Sequence, residues 1–292
     1  MLARTGRIVQ DQVDKLEEDK LWAVSTKEEE EHNVQNDELL FQRDGAIATV
    51  TFNRPEARNA MTWAMYDGLV SACETVDADP TIRVMILRGA GGKAFVAGTD
   101  ISQFQSFRTA EDALEYEHRL DEVIGRLESV TKPTIAVIEG PAAGAGAVIA
   151  LTCDLRYCTP DSQIGVPIAR TLGNCLSIAN YARLVDMIGP ARTKEVIFRA
   201  RLVSAEQACQ LGLINEIVPV DRLAAHVRTV ADEIATHAPL TLQATKEAIR
   251  RLQVHRRAVD GDDLTVMAYM SEDFREGVTA FVEKRKPVFR GK

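Results

Sequence analysis

Residues Lys132–Asp154 read KPTIAVIEGPAAGAGAVIALTCD. The apolar run between Pro133 and Gly140 predicts a short buried strand. It enters a turn built only of Gly, Pro and Ala, from Gly140 to Gly146. A second apolar run, Ala147–Thr152, has the length of a short buried helix. Small residues let a ligand or another backbone approach the main chain closely. A helix that begins there aims its unpaired N–H groups, with their partial positive charge, at whatever lies in front. Such a joint can hold an anion or an oxyanion. It also suits a tight connection between packed layers, and the rest of the chain has to separate the two readings.

Upstream of this stretch, Leu39–Arg43 and Ala46–Phe52 flank Asp44-Gly45, a strong hairpin signal. A polar loop, Asn53–Met61, follows. Thr62 is placed to cap a helix whose apolar positions Tyr66, Leu69, Val70, Cys73 and Val76 share one face. Ile82–Leu87 predicts a buried strand, Gly89–Gly92 a turn, Ala94–Ile101 a short strand running into a loop, and Thr109–Val130 a long amphipathic helix. Downstream, Leu155–Cys158 and Gln163–Val166 predict strands. Ser177–Ile188 and Ala191–Arg199 predict helices divided by Gly189-Pro190. Ser204 and Gln207 have capping-box spacing before a helix ended by Gly212. Asp221–His237, Leu240–Val254 and Leu264–Lys284 predict further helices. Strands alternate with helices up to about residue 218 and helices follow alone, which gives an α/β core with a helical C-terminal part.

At 292 residues and 46% hydrophobic, the chain can bury a sizeable core. Residues 1–37 carry ten acids against five bases, so they hold most of the net charge of −8. They are expected to be a charged appendage, disordered or a solvated helix. An acidic chain without a basic patch argues against nucleic acid as the partner. The five cysteines lack CxxC or zinc spacing and read as reduced thiols. Neither a membrane-spanning run nor a signal-peptide layout is present, so a cytoplasmic protein without membrane association is expected. No ligand cluster implies a metal.

Six segments, FNRPEARNAM, AFVAGTDI, KPTIAVIEG with its Gly/Ala turn, CDLRY, SAEQACQLGLINEIVP and EGVTAFVEKRKPVF, occur in this order. Through them residues 38–292 resemble the crotonase, or enoyl-CoA hydratase/isomerase, superfamily. The resemblance implies an α/β crotonase-like spiral of strand–strand–helix units over 38–218, which binds acyl-CoA. It implies a helical part over 219–292 for oligomerisation, as a homotrimer or a hexamer of two trimers, and for CoA contacts. It also implies a thioester carbonyl held by two backbone N–H groups, which map to Thr99 and Ala145. The CoA contacts map to Arg58, Ala60, Ala97, Asp100, Ile101, Phe281 and Lys284, with Arg58 and Lys284 on phosphates and Phe281 on the adenine. No cofactor beyond the CoA of the substrate is implied. The chemistry needs such donors, because proton removal beside a thioester, or addition to its conjugated bond, puts negative charge on the carbonyl oxygen. One preorganised donor is typically worth about 3–4 kcal/mol.

The sequence departs from the family where the hydratases carry two glutamates. By the resemblance those positions read Val148 and Ile168, so the standard paired-carboxylate route for adding water is not expected. Other acids and bases are then expected. Candidates are Glu117 or His118, on the helix that lines the acyl pocket in relatives, and Arg170, with Thr171 and Asn174, after the second lost glutamate. Neighbouring helical residues point about 100° apart, so Glu115 to His118 cannot all face one pocket. Asp100 and Asp154 are expected to cap or brace. An acyl-CoA enzyme with non-standard acid/base groups is therefore expected, against a non-catalytic CoA-binding scaffold or a hydrolase or lyase of the same fold. Gly144-x-Gly146 also invites a dinucleotide reading, but Ile149 stands at the third glycine position and no strand-end acid follows.

Overall fold

The computed structural model describes residues 37–292, so the charged segment 1–37 lies, but for Asp37, outside the described residues. The Asp44-Gly45 signal marks a hairpin: β1 (Leu39–Asp44) pairs antiparallel with β2 (Ile47–Phe52), and Gly45 supplies the left-handed turn at φ 58°. Thr62 then caps α1 (Trp63–Ala78), its hydroxyl accepting the Met65 N–H at 3.2 Å. Strand β3 (Val84–Gly89) runs parallel to β2. Thr109 and Asp112 form a reciprocal capping box at the start of α2 (Ala110–Glu128). Strand β4 (Thr134–Ile138) continues the sheet beside β3.

The Gly/Ala segment is not simply a turn. Pro141–Ala143 forms strand β5, and the helix α3 already begins at Ala145 (Ala145–Thr152). Nothing in Pro-Ala-Ala has strand patterning. Its pairing comes from outside, from residues Gln163–Gly165 on one side and a bridge to Val96 on the other. Strands β6 (Leu155–Cys158) and β7 (Gln163–Gly165) follow, then the short helix α4 (Ile168–Thr171). Helix α5 (Ile178–Arg199) is broken at Gly189 (φ 72°, ψ 165°), where the Gly-Pro pair predicts a division. Strand β8 (Val203–Ser204), helix α6 (Ala205–Leu211) and strand β9 (Glu216–Ile217) complete the strand-containing part. Helices α7 (Val220–Thr236) and α8 (Pro239–Arg257) come next. The single terminal helix expected over 264–284 is two, α9 (Asp262–Tyr269) and α10 (Glu272–Val282), because Ser271 caps a new helix by accepting the Phe274 N–H.

The strands form a six-stranded sheet in the order β1-β2-β3-β4-β6-β9 and a smaller sheet, β5-β7-β8. The chain repeats a path: a strand of the large sheet, extended chain at the small sheet, then a helix. β4, β5 and α3 make one such unit; β3, the Val96 bridge and α2 make the one before it. β2, β3 and β4 are buried throughout, as expected for strands covered on both faces. Met85, Leu87, Ala136 and Ile138 join the main core with α1, α2 and α3, whereas Val84, Ile86, Ile135 and Val137 pack on α7. No helix among the described residues is long and apolar enough to cross a membrane.

Candidate active site

Two turns meet beside the small sheet. The Ala143 N–H donates to the Val96 carbonyl at 3.0 Å, and the Phe95 N–H to the Pro141 carbonyl at 3.1 Å. This zips segment 95–98 onto β5 and brings the AGTD turn against the Gly/Ala turn. The approach depends on glycine. A Cβ at Gly146 would stand 2.0 Å from the Val96 carbonyl oxygen. Gly144 turns the chain into α3 with φ 54° and ψ −119°, which an L side chain rarely adopts.

Helix α3 closes its first backbone hydrogen bond from the Val148 N–H to the Gly144 carbonyl, so the Ala145 N–H lies outside the helical ladder. At the other turn, Met61 donates to the Gly98 carbonyl and accepts from the Asp100 N–H, which skips Thr99. Among the described residues neither the Thr99 nor the Ala145 N–H donates to another backbone group. The Thr99 hydroxyl is fixed instead. Its Oγ1 is hydrogen-bonded to Tyr66 Oη and to Tyr116 Oη, each at 2.9 Å. Burial raises the pKa of both phenols, so both stay neutral.

Val148 and Ile168 are buried core residues. The charged candidates separate clearly. Glu117 lies inside the apolar stripe of α2, between Ala113, Tyr116, Leu120 and Ile124, and is only 5% exposed. Its Oε1 accepts from Tyr269 Oη of α9, whose oxygen in turn accepts from Asn174 Nδ2 at 3.0 Å. Burial lifts the Glu117 carboxyl to about 7, against the opposing pull of the Tyr269 hydroxyl. His118, next in sequence, faces the surface, with Nε2 3.0 Å from Asp262 Oδ1. Arg170 is exposed and its Nε donates to the Ala200 carbonyl at 2.9 Å. Neither reaches the buried site. Around Glu117 and Tyr269 stand Phe104, Phe107, Tyr116 and Phe274, edge-on or tilted to one another.

The residues mapped to CoA contacts occupy two regions. Arg58 is exposed, with φ 51°, and its carbonyl accepts the Ala97 N–H. The Ala60 carbonyl is already taken by Arg54 Nη1 at 2.7 Å. Asp100 caps the 3-10 turn Ile101–Ser106 through the Ser102 N–H and pairs with Arg54, and these donors outweigh its burial and lower its pKa. Asp154 braces β4, accepting from the Thr134 N–H and from Lys246. Phe281, 56% exposed, and the left-handed Lys284 lie at the end of α10.

Three groups escaped the sequence reading. Tyr269 is one, because its partner is 152 residues away. Tyr66 is another: its apolar register on α1 was legible, its hydrogen bond to Thr99 was not. The third is Asn59, fully buried, whose side chain ties the 53–61 loop to the Ala90 and Ala94 carbonyls.

The model of the family described as enoyl-CoA hydratase/isomerase matches residues 42–292. A short-chain-enoyl-CoA hydratase of Clostridium acetobutylicum is 32% identical over 257 residues, 85% of this chain and 95% of the relative. A solved enoyl-CoA hydratase/carnithine racemase from Magnetospirillum magneticum is 36% identical, with TM-score 0.73 over 88% of this chain and 97% of that one. A solved methylmalonyl-CoA decarboxylase in complex with 2-nitronate-propionyl-CoA is 29% identical, with TM-score 0.79 over 87% and 98%. With the fold and the paired turns described above, these matches establish that the chain belongs to the enoyl-CoA hydratase/isomerase family.

Proposed function

We propose that this chain acts on acyl-CoA thioesters through an enolate, whose oxygen is held by the N–H groups of Thr99 and Ala145. The observation that carries the reading is the junction of the two turns, which leaves both donors uncommitted at adjoining bends. Fixed donors at the site of growing charge stabilise the enolate more than the starting carbonyl. The apolar side chains of Val148 and Ile168 support a reaction that does not rely on two carboxylates activating water. Arg58, Lys284 and Phe281, all exposed, suit the phosphates and adenine of CoA. The exposed Leu240, Leu252, Met267 and Val282 on the C-terminal helices support association into a trimer or a pair of trimers. Turnover of a panel of saturated, 2-enoyl and 3-enoyl CoA thioesters tests the reading. Tight CoA binding without turnover of any of them supports a scaffold instead.

A second reading has its own support in the TM-score to methylmalonyl-CoA decarboxylase. Loss of CO2 from a thioester with a carboxylate on its α-carbon reaches the same enolate without a base. Apolar walls disfavour the carboxylate and so favour its loss as neutral CO2, the electron pair of the broken C–C bond passing to the enolate. Release of CO2 from malonyl-type CoA thioesters distinguishes it.

A further inference from the structure

We propose that Glu117, held by Tyr269, is the single acid/base of this site, and that the enzyme moves one proton along an acyl chain rather than adding water. This rests on the enolate reading above. A carboxyl group in the middle of an apolar helix stripe has no packing purpose, since Leu or Met there would fill the space without the cost of burying a polar group. Among the described residues its hydrogen-bond partner is Tyr269 Oη, and Asn174 from the loop after α4 steadies that hydroxyl. Three separate elements therefore converge on one buried carboxyl.

Its position ties it to the enolate site. Glu117 follows Tyr116, whose hydroxyl meets Thr99, and its charge bears on Tyr66 and Tyr116, the two phenols bound to Thr99. Helix α2 packs on α3, which carries Ala145 at its start and Val148 on its buried side. Tyr269 also forms part of the wall of a cleft of about 490 Å³, where Phe104, Phe107, Phe274 and Val278 stand beside the charged Arg108, Arg275 and Glu283. The other titratable groups whose charge bears on Glu117 or feels it are Asp121 and His118 on its own helix, Cys175 on the loop, and Tyr181 on α5. Burial leaves the carboxyl near 7, poised between taking and giving a proton at neutral pH.

The step balances without a co-reactant. The Glu117 carboxylate takes a proton from the α-carbon of a 3-enoyl thioester. The C–H electron pair spreads into a dienolate whose oxygen rests on the Thr99 and Ala145 N–H groups. The carboxylic acid returns the proton to the γ-carbon, leaving the double bond between the α- and β-carbons. Nothing is oxidised or reduced.

The test uses the full chain with 3-hexenoyl-CoA and 2-hexenoyl-CoA in D2O, following double-bond position and deuterium at the α- and γ-carbons. The expected result is double-bond shift with exchange by the wild type. Glu117→Gln is expected to lose at least 100-fold in rate, with unchanged affinity for a non-reactive thioether analogue of the acyl-CoA. Glu117→Asp is expected to keep part of the rate, and Tyr269→Phe to move the pH profile. A Glu117→Gln variant within a few-fold of wild type overturns the role of Glu117 and leaves the enolate reading standing. Hydration of 2-hexenoyl-CoA faster than the shift overturns the one-proton reaction class. Absence of exchange in the wild type overturns this proposal, while the enolate reading falls only if no thioester of the CoA panel, malonyl-type thioesters included, is turned over.

Discussion

Replacing Glu117 by Gln should stabilise the fold, by an amount that grows with pH. Burial raises the carboxyl from 4.5 to about 7. In that window the folded chain holds a proton that the unfolded chain has released. Stability therefore falls as pH rises from about 4.5 through about 7, and below the lower value Glu117 contributes no pH dependence. At about 1.4 kcal/mol per pH unit, the full penalty above pH 7 is on the order of 3 kcal/mol. Glutamine keeps the shape and an acceptor for the Tyr269 hydroxyl, but has no proton to lose. Asp121, whose carboxyl burial also pushes up, is present in both proteins, so its contribution largely cancels. Urea unfolding of both proteins at about pH 5, 6, 7 and 8 and constant ionic strength measures the difference. The two midpoints should nearly coincide at the acid end, with the variant ahead by about 3 kcal/mol at the alkaline end. A difference independent of pH, or a variant less stable at pH 8, refutes the reasoning. A group kept at that cost to stability is the kind expected to serve chemistry.

Four further outcomes follow from the geometry. Ala145→Pro removes one proposed oxyanion donor at a helix position that tolerates proline, and should lower kcat by about 10²–10³-fold with the helix retained, as measured by steady-state kinetics and circular dichroism. Thr99→Ala keeps the backbone donor but leaves the Tyr66 and Tyr116 hydroxyls without their shared partner, and should cost about 1–3 kcal/mol in urea unfolding. Gly146→Ala places a Cβ against the Val96 carbonyl and should force the two turns apart, with loss of turnover and a clearly lowered Tm. His118→Ala, at an exposed contact with Asp262, should change stability by less than about 1 kcal/mol and leave turnover unchanged.

Local signals were the legible ones. Asp44-Gly45, Thr62, Thr109 and the Gly189-Pro190 break each act within a few residues, and each marks the feature its chemistry implies. The core strands were legible from unbroken apolar runs. β5 was not, because Pro-Ala-Ala becomes a strand only through partners that the fold delivers. Sequence alone left Glu117 and His118 as alternatives on one helix. The apolar spacing Ala113-Tyr116-Leu120-Ile124 puts Glu117 inside and His118 outside, but the Tyr269 partner required the fold. Arg170 looked well placed after the second missing glutamate, yet its guanidinium turns to the Ala200 carbonyl, since the short α4 carries it away from the core.

The uncommitted N–H groups at Thr99 and Ala145 belong to the peptide, not to any side chain. Random substitution at either position, proline apart, leaves the dipole where it was. Glu117 has no such protection, since a single base change can erase it. Descendants of a chain built this way would inherit the proposed charge-stabilising half of the site almost unchanged, while the proposed proton-carrying half is free to drift and be replaced. Different reactions can then diverge on one scaffold without that half having to be rebuilt.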